Sequence, residues 1–143
     1  MEADTYLVNV DGVVVRDREY LLIERAADEA HAGGTLAFPG GTVEQPPGSE
    51  NPIETTVRRE LNEEVGIEVG DVAYVTSRTF ETDDGSQCLN IVTMCEHVRG
   101  EPFPRAPDEV AAVHWLTADE IRAGDPPAFF ERYVDLIEAY RTD

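Results

Sequence analysis

The stretch NPIETTVRRELNEEVGI, residues 51–67, decides the fold. Asn51 suits a helix N-cap, Pro52 the first helical position, and Glu54 completes a start resembling a capping box. Ile53, Val57, Leu61 and Val65 recur every fourth residue and make one apolar stripe. Gly66 stands where a left-handed cap ends a helix. The same helix carries Glu60, Glu63 and Glu64 within an arc of roughly 100°. Their Cβ atoms are about 5–6 Å apart. Glu64 borders the apolar stripe, so its carboxylate is not free to turn into water. All three lie in the C-terminal half, where the helix dipole disfavours anions. Two readings stand. One is a solvated acidic face. The other is a hard-cation site, because carboxylates at this spacing converge on Mg2+ or Mn2+, which take oxygen ligands and keep several waters.

Ahead of the helix, GGTLAFPGGTVEQPPGS (33–49) is dense in Gly and Pro and reads as loop, with a short strand at 36–38. Gly40 and Gly41 offer a backbone path closed to other residues and let a carbonyl approach a ligand. Further out, YLVNVDGVVV (6–15) and YLLIERA (20–26) read as strands turned by RDRE. DVAYVTSRTFE (71–81) and CLNIVTMCEHV (88–98) read as strands joined by TDDGS, and EVAAVHWL (109–116) as another. TADEIRAG opens with a capping box, Thr117 and Glu120, and closes at Gly124. PPAFFERYVDLIEAYR reads as a last amphipathic helix with Phe130, Val134, Ile137, Tyr133 and Tyr140 inward. No linker divides the chain, so one domain over 1–143 is expected, α/β (α+β), with helices packed on a mixed sheet.

The charge balance is extreme: 30 acidic against 11 basic residues, net −19, with every basic residue an Arg. Such a surface repels nucleic acids and anionic membranes, which excludes both as expected partners. Acidic, Lys-free composition resembles the proteins of salt-loving archaea. No apolar run is long enough to span a bilayer, and the N-terminus lacks a signal-peptide pattern, so a cytoplasmic protein is expected. Cys88 and Cys95 lie on one strand-like run at odd separation, on opposite faces, which argues against a disulfide or a shared metal.

The combination of FPGG, Glu44 and RRELNEEVGI resembles the Nudix hydrolase box, G-x5-E-x7-R-E-U-x-E-E-x-G-U. Its second half is complete here as Arg59, Glu60, Leu61, Glu63, Glu64, Gly66 and Ile67. Its first half begins at Gly41 and departs: the loop over 45–51 is four residues longer, and the isolated Glu of the box falls on Asn51, beside Glu50. The flanks agree, with LLIER before the loop and DEVAAVHWLTADEI after it. The resemblance implies a Nudix-type α/β/α sandwich and divalent-metal-dependent hydrolysis of a nucleoside diphosphate linked to another group. It implies Glu60, Glu63 and Glu64 as metal carboxylates, Gly40 as a carbonyl ligand, and Arg59 as the partner that orients Glu60. Glu109 is a candidate general base from a later loop. Arg25, Phe38, Gly41 and Glu44 are candidates for substrate contacts. Arg25 would meet a phosphate and Phe38 would line a base pocket.

The remaining residues carry less. His31, His97 and His114 lack metal-ligand spacing, and Trp115 reads as a core strand residue. Nothing around 79–83 marks a substrate subfamily; a nucleoside triphosphate and a sugar nucleotide both remain open. The rivals are a nucleotide-binding or regulatory Nudix domain without hydrolysis, and a metal-binding structural module.

Overall fold

Val-, Leu- and Ile-rich runs form the strands, and the Gly-punctuated segments turn between them. The computed structural model describes residues 5–26 and 35–142. His31 lies outside them. In chain order the elements are β1 (Leu7–Val13), β2 (Val15–Arg16), β3 (Glu19–Arg25), β4 (Leu36–Ala37), β5 (Gly40–Thr42), α1 (Pro52–Val65), β6 (Glu68–Glu81), β7 (Gln87–Arg99), β8 (Val110–Thr117), α2 (Ala118–Ala123) and α3 (Ala128–Thr142).

The first sheet runs β5-β1-β7-β6. It is mixed: β1 lies parallel to β7, while β5 on β1 and β6 on β7 are antiparallel. The second sheet is antiparallel, with β3 pairing β2, β4 and β8. The mixed sheet expected from sequence is this first one, and an antiparallel second sheet accompanies it. Both are tied to the N-terminal segment, whose Val14 carbonyl accepts from Leu21 N–H at 2.9 Å.

Two apolar clusters lie on opposite sides. Val57, Leu61 and Val65 of α1 pack with Val10, Leu21, Ile23, Ile67 and Val110. Phe130, Tyr133, Val134 and Ile137 of α3, with Ile121 of α2, pack with Val13, Tyr20, Leu22 and Val92. The strand alternation of β1 follows: Val10 and Gly12 face α1, and Asn9, Asp11 and Val13 face α3. Gly12 is required by that approach, since a Cβ there would lie 2.6 Å from Val57 Cγ2. Cys88 and Cys95 are buried, free and on opposite faces, as their spacing predicts.

The helix ends hold two corrections. Asn51 does not cap α1 with its side chain; it is left-handed (φ 53°, ψ 49°), and only its carbonyl takes the first helical bond, from Thr55 N–H. The longer loop delivers the chain at that angle. Tyr140 points outward, 47% exposed, because the inward stripe of α3 ends at Ile137. The Thr117–Glu120 capping box is present in both directions, and Gly66 caps α1 left-handed as expected.

Candidate active site

The acids are placed by α1 and β5. β5 was not foreseen, because Gly-Gly-Thr has low strand propensity; the free edge of β1 imposes the strand by pairing Asp11 with Gly40 and Val10 with Gly41. That pairing brings the two glycines against α1. Gly40 N–H donates to Glu64 Oε1 at 3.0 Å. A Cβ on Gly41 would lie 2.6 Å from Glu60 Oε1, and one on Gly40 would strike the Val10 carbonyl oxygen. Neither residue has a positive φ. Close approach, and not an unusual backbone angle, is what requires glycine here.

Glu64 is 4% exposed. Burial, then the charges of Glu60 and Glu109, push its carboxyl up to about 8 against the opposing Gly40 N–H and Arg25. Glu60 is pushed up too, chiefly by burial, against the Arg59 hydrogen bond and charge. Arg59 Nη2 donates to Glu60 Oε1 at 3.2 Å, and Arg59 Nε lies 3.7 Å from Glu63 Oε1. Arg59 thus orients Glu60 and tethers Glu63. Glu63 is the outlier of the three: its side chain is 58% exposed.

Glu109 arrives by a loop fixed at both ends. The last carbonyls of α1, which no helical N–H can reach, accept from that loop: Val65 O from Phe103 N–H at 3.1 Å and Glu64 O from Arg105 N–H at 3.0 Å. Arg105 Nη1 adds bonds to Asn62 O and Oδ1. At the far end Glu109 O accepts from Ala26 N–H at 3.0 Å, next to Arg25. The exposed Glu109 carboxylate is therefore near enough to raise both Glu60 and Glu64. Arg25 leaves β3 at a break in the β3–β8 register, half-buried, where its charge reaches both Glu64 and Asp11.

Two expected contacts fall elsewhere. Phe38 is 2% exposed and stacks on Phe130, centroids 4.7 Å apart, with Tyr20 beyond at 6.4 Å. It is a core residue that presents no ring face to a ligand. Glu44 follows β5 into the exposed loop. Trp115 packs partly buried against the α1 cluster with the Arg16 guanidinium 4.1 Å from its ring. His114 lies 3.2 Å from Glu24 across β8 and β3.

Sequence reading missed a polar network on the α3 side of the first sheet. Asn9 Nδ2 donates to Asn90 Oδ1 at 2.7 Å and to Asp11 Oδ1 at 3.3 Å. Asn90 Nδ2 donates to Asp11 Oδ2 and to the Tyr133 hydroxyl oxygen, each at 3.0 Å. Arg78 Nε donates to the same hydroxyl at 3.1 Å. Burial pushes the Asp11 carboxyl up to about 6, against the bonds from Asn90 and Asn9 and the charges of Arg25 and Arg78. The signal was present in NVD: two polar residues at alternate positions of a Val-rich strand, both on one face.

Among the described residues, no three His, Cys, Asp or Glu are grouped so as to hold a metal ion in this conformation. Nor is any helix among them long and apolar enough to cross a membrane.

Known proteins match this arrangement. The NUDIX domain family matches residues 5–139. The 8-oxo-dGTP diphosphatase of Escherichia coli (strain K12) is 31% identical over 118 residues, 81% of this chain and 88% of that protein. The MutT NUDIX hydrolase structure from Burkholderia pseudomallei is 28% identical, with TM-score 0.71, covering 81% of this chain and 86% of that one. The MutT protein structure from Methanosarcina mazei Go1 shares the fold at TM-score 0.77 and 22% identity, over 100% of both chains. The chain belongs to the NUDIX family and is a pyrophosphohydrolase of it.

Proposed function

We propose that this chain hydrolyses a nucleoside diphosphate linked to another group, a nucleoside triphosphate foremost, with Mg2+ or Mn2+. The observation that carries the reading is the pair Glu60 and Glu64, held by α1 against the Gly40–Gly41 strand, with Arg25 and Glu109 facing it. The 8-oxo-dGTP diphosphatase activity of the Escherichia coli relative favours the triphosphate over a sugar nucleotide.

The residues suit a divalent cation. Glu64 is buried with one hydrogen bond from the Gly40 N–H and two neighbouring carboxylates that repel it. A cation would turn that repulsion into attraction. Glu60, Glu63 and Glu64 would hold it, all hard oxygen donors, with Gly40 beside them. Bound there, it would neutralise phosphate oxygens and lower the pKa of a coordinated water.

The chain's own groups do the rest. Arg25 binds a phosphate oxygen. Arg59 keeps Glu60 aimed at the site. Glu109 takes the proton as the water oxygen bonds to phosphorus and the bridging P–O bond breaks. Breaking that bond divides the substrate into a nucleoside monophosphate and the remaining phosphate-bearing group, pyrophosphate in the case of a triphosphate, and the displaced part leaves as the anion.

The test is product release over a panel of nucleotides in Mg2+ or Mn2+ at high KCl. We expect Glu64→Gln to lower kcat by about 10²–10⁴-fold with the fold retained by circular dichroism. Equal turnover in the two proteins removes the reading. Tight nucleotide binding without any product supports the regulatory alternative instead.

A further inference from the structure

Helix α1 ends without a cation of its own. Its last turn holds Glu63 and Glu64 and no basic residue, although the helix dipole favours positive charge there. Arg105 supplies that charge from a separate segment, 43 residues after Asn62. Its Nη1 donates to Asn62 Oδ1 at 2.9 Å and to Asn62 O at 3.2 Å. Its own N–H donates to Glu64 O. The two main-chain bonds of this loop fall on neighbouring carbonyls, Glu64 and Val65, at the very tip of the helix. The guanidinium adds a hold two residues further in, about 3 Å along the axis. A loop held at the tip alone pivots; the second hold resists that.

The stretch beyond the anchor is short and stiff. Glu109 stands four positions after Arg105, with Pro104 and Pro107 on either side of the anchor, each fixing its own φ. Ala106 O accepts from Glu109 N–H at 2.9 Å and from Val110 N–H at 2.8 Å, which closes a turn. Little slack remains between the guanidinium and the Glu109 carboxylate. Asn62 lies between Glu60 and Glu64 on the helix, so the loop and the acids share one reference point.

We propose that Arg105, held by Asn62, is a positioning residue for the hydrolysis: it sets where the Glu109 carboxylate stands relative to Glu60 and Glu64. Arg105 touches no reacting atom and acts through Glu109. The proposal rests on the reading above, in which Glu109 takes the proton from the attacking water.

Steady-state kinetics on the nucleotide that the wild type hydrolyses best tests it. Arg105→Ala should lower kcat by about 10-fold and leave KM within about 2-fold, since no group that binds phosphate is altered. Arg105→Lys keeps a donor for the Asn62 oxygens and should recover most of the loss. Asn62→Ala should cost less, because its carbonyl remains, and should cost nothing further in the Arg105→Ala background. Arg99→Ala removes the same charge from an exposed pair with Glu68 and should leave kcat unchanged. Two readouts need no turnover. Mn2+ affinity by calorimetry should stay within about 2-fold in Arg105→Ala, because the acids of α1 keep their places. The N–H groups of residues 103 and 105 should exchange faster in Arg105→Ala and at the wild-type rate in Arg99→Ala. Should Arg105→Ala not fold, Asn62→Ala must still lower kcat with KM held. Unchanged kcat in Arg105→Ala overturns the proposal, as does a loss carried wholly by KM or by weaker Mn2+ binding, or an equal loss in Arg99→Ala. The two readings fail distinguishably. A wild type that releases no product from any nucleotide takes both away; an active wild type matched by Arg105→Ala removes the role of Arg105 and leaves the hydrolysis.

Discussion

Glu64 concentrates the conflict between folding and chemistry in one side chain. A carboxyl with a folded value of about 8 and an ordinary value of 4.5 holds a proton in the folded state that the unfolded chain has released. Folding stability therefore falls as pH rises through that window, and Glu60 adds to the effect in the same direction. In EDTA, the wild-type Tm should decline between about pH 5 and about pH 8 more steeply than that of Glu64→Gln, which should be the more stable protein at the upper end. Thermal melts across pH check this; parallel curves would mean that Glu64 is not destabilising. The box acids were legible because helical spacing alone puts Glu60, Glu63 and Glu64 together. That Glu63 turns out to Arg59 while Glu64 turns in was not, since it depends on where the apolar stripe meets the sheet. Asp11 was missed for a related reason: a lone Asp in a strand acquires meaning only when Asn90, 79 residues later, is laid beside it.

Between elements, the decisive distance is that from β5 to α1. Gly41→Ala would set a methyl group 2.6 Å from Glu60 Oε1, and Glu60 must swing away or β5 must retreat. The expected result is a loss of kcat of about 10-fold or more, with a Tm change of only a few degrees, because the nearest atoms are the far end of a flexible side chain. Kinetics beside a melting curve separate this from a folding defect. Sequence periodicity located α1, α3 and the long strands β6 and β7 well, because each repeats its pattern over several turns or alternations, while the short α2 was marked by its Thr117–Glu120 capping box. β5 escaped because its strand character comes from its partner. The side-chain cap at Asn51 failed because the longer preceding loop sets the entry angle, which no capping pattern encodes.

For the whole molecule, charge governs. Several of the eleven arginines are engaged in exposed pairs, such as Arg16–Glu101, Arg99–Glu68 and Arg122–Asp135. Pairs of that kind contribute little each. They leave the net charge of −19 unbalanced, so the folded chain repels itself. Raising KCl from about 0.1 M to about 1 M shortens the screening length from about 10 Å to about 3 Å. The Tm should climb by several degrees over that range; a flat or falling curve would sink the halophile reading. The net charge itself is legible in composition with no structure at all. The division into two sheets was not legible, because it depends on β1 pairing with β7 across most of the chain.

The segment from Phe103 to Glu109 carries one more implication. Main-chain bonds seal it to the end of α1 on one side and to Ala26 on the other, so the two banks of the cleft are spliced before any visitor arrives. Their mutual alignment is settled once, during folding. The entropy of bringing them together need not be lost again at each catalytic cycle.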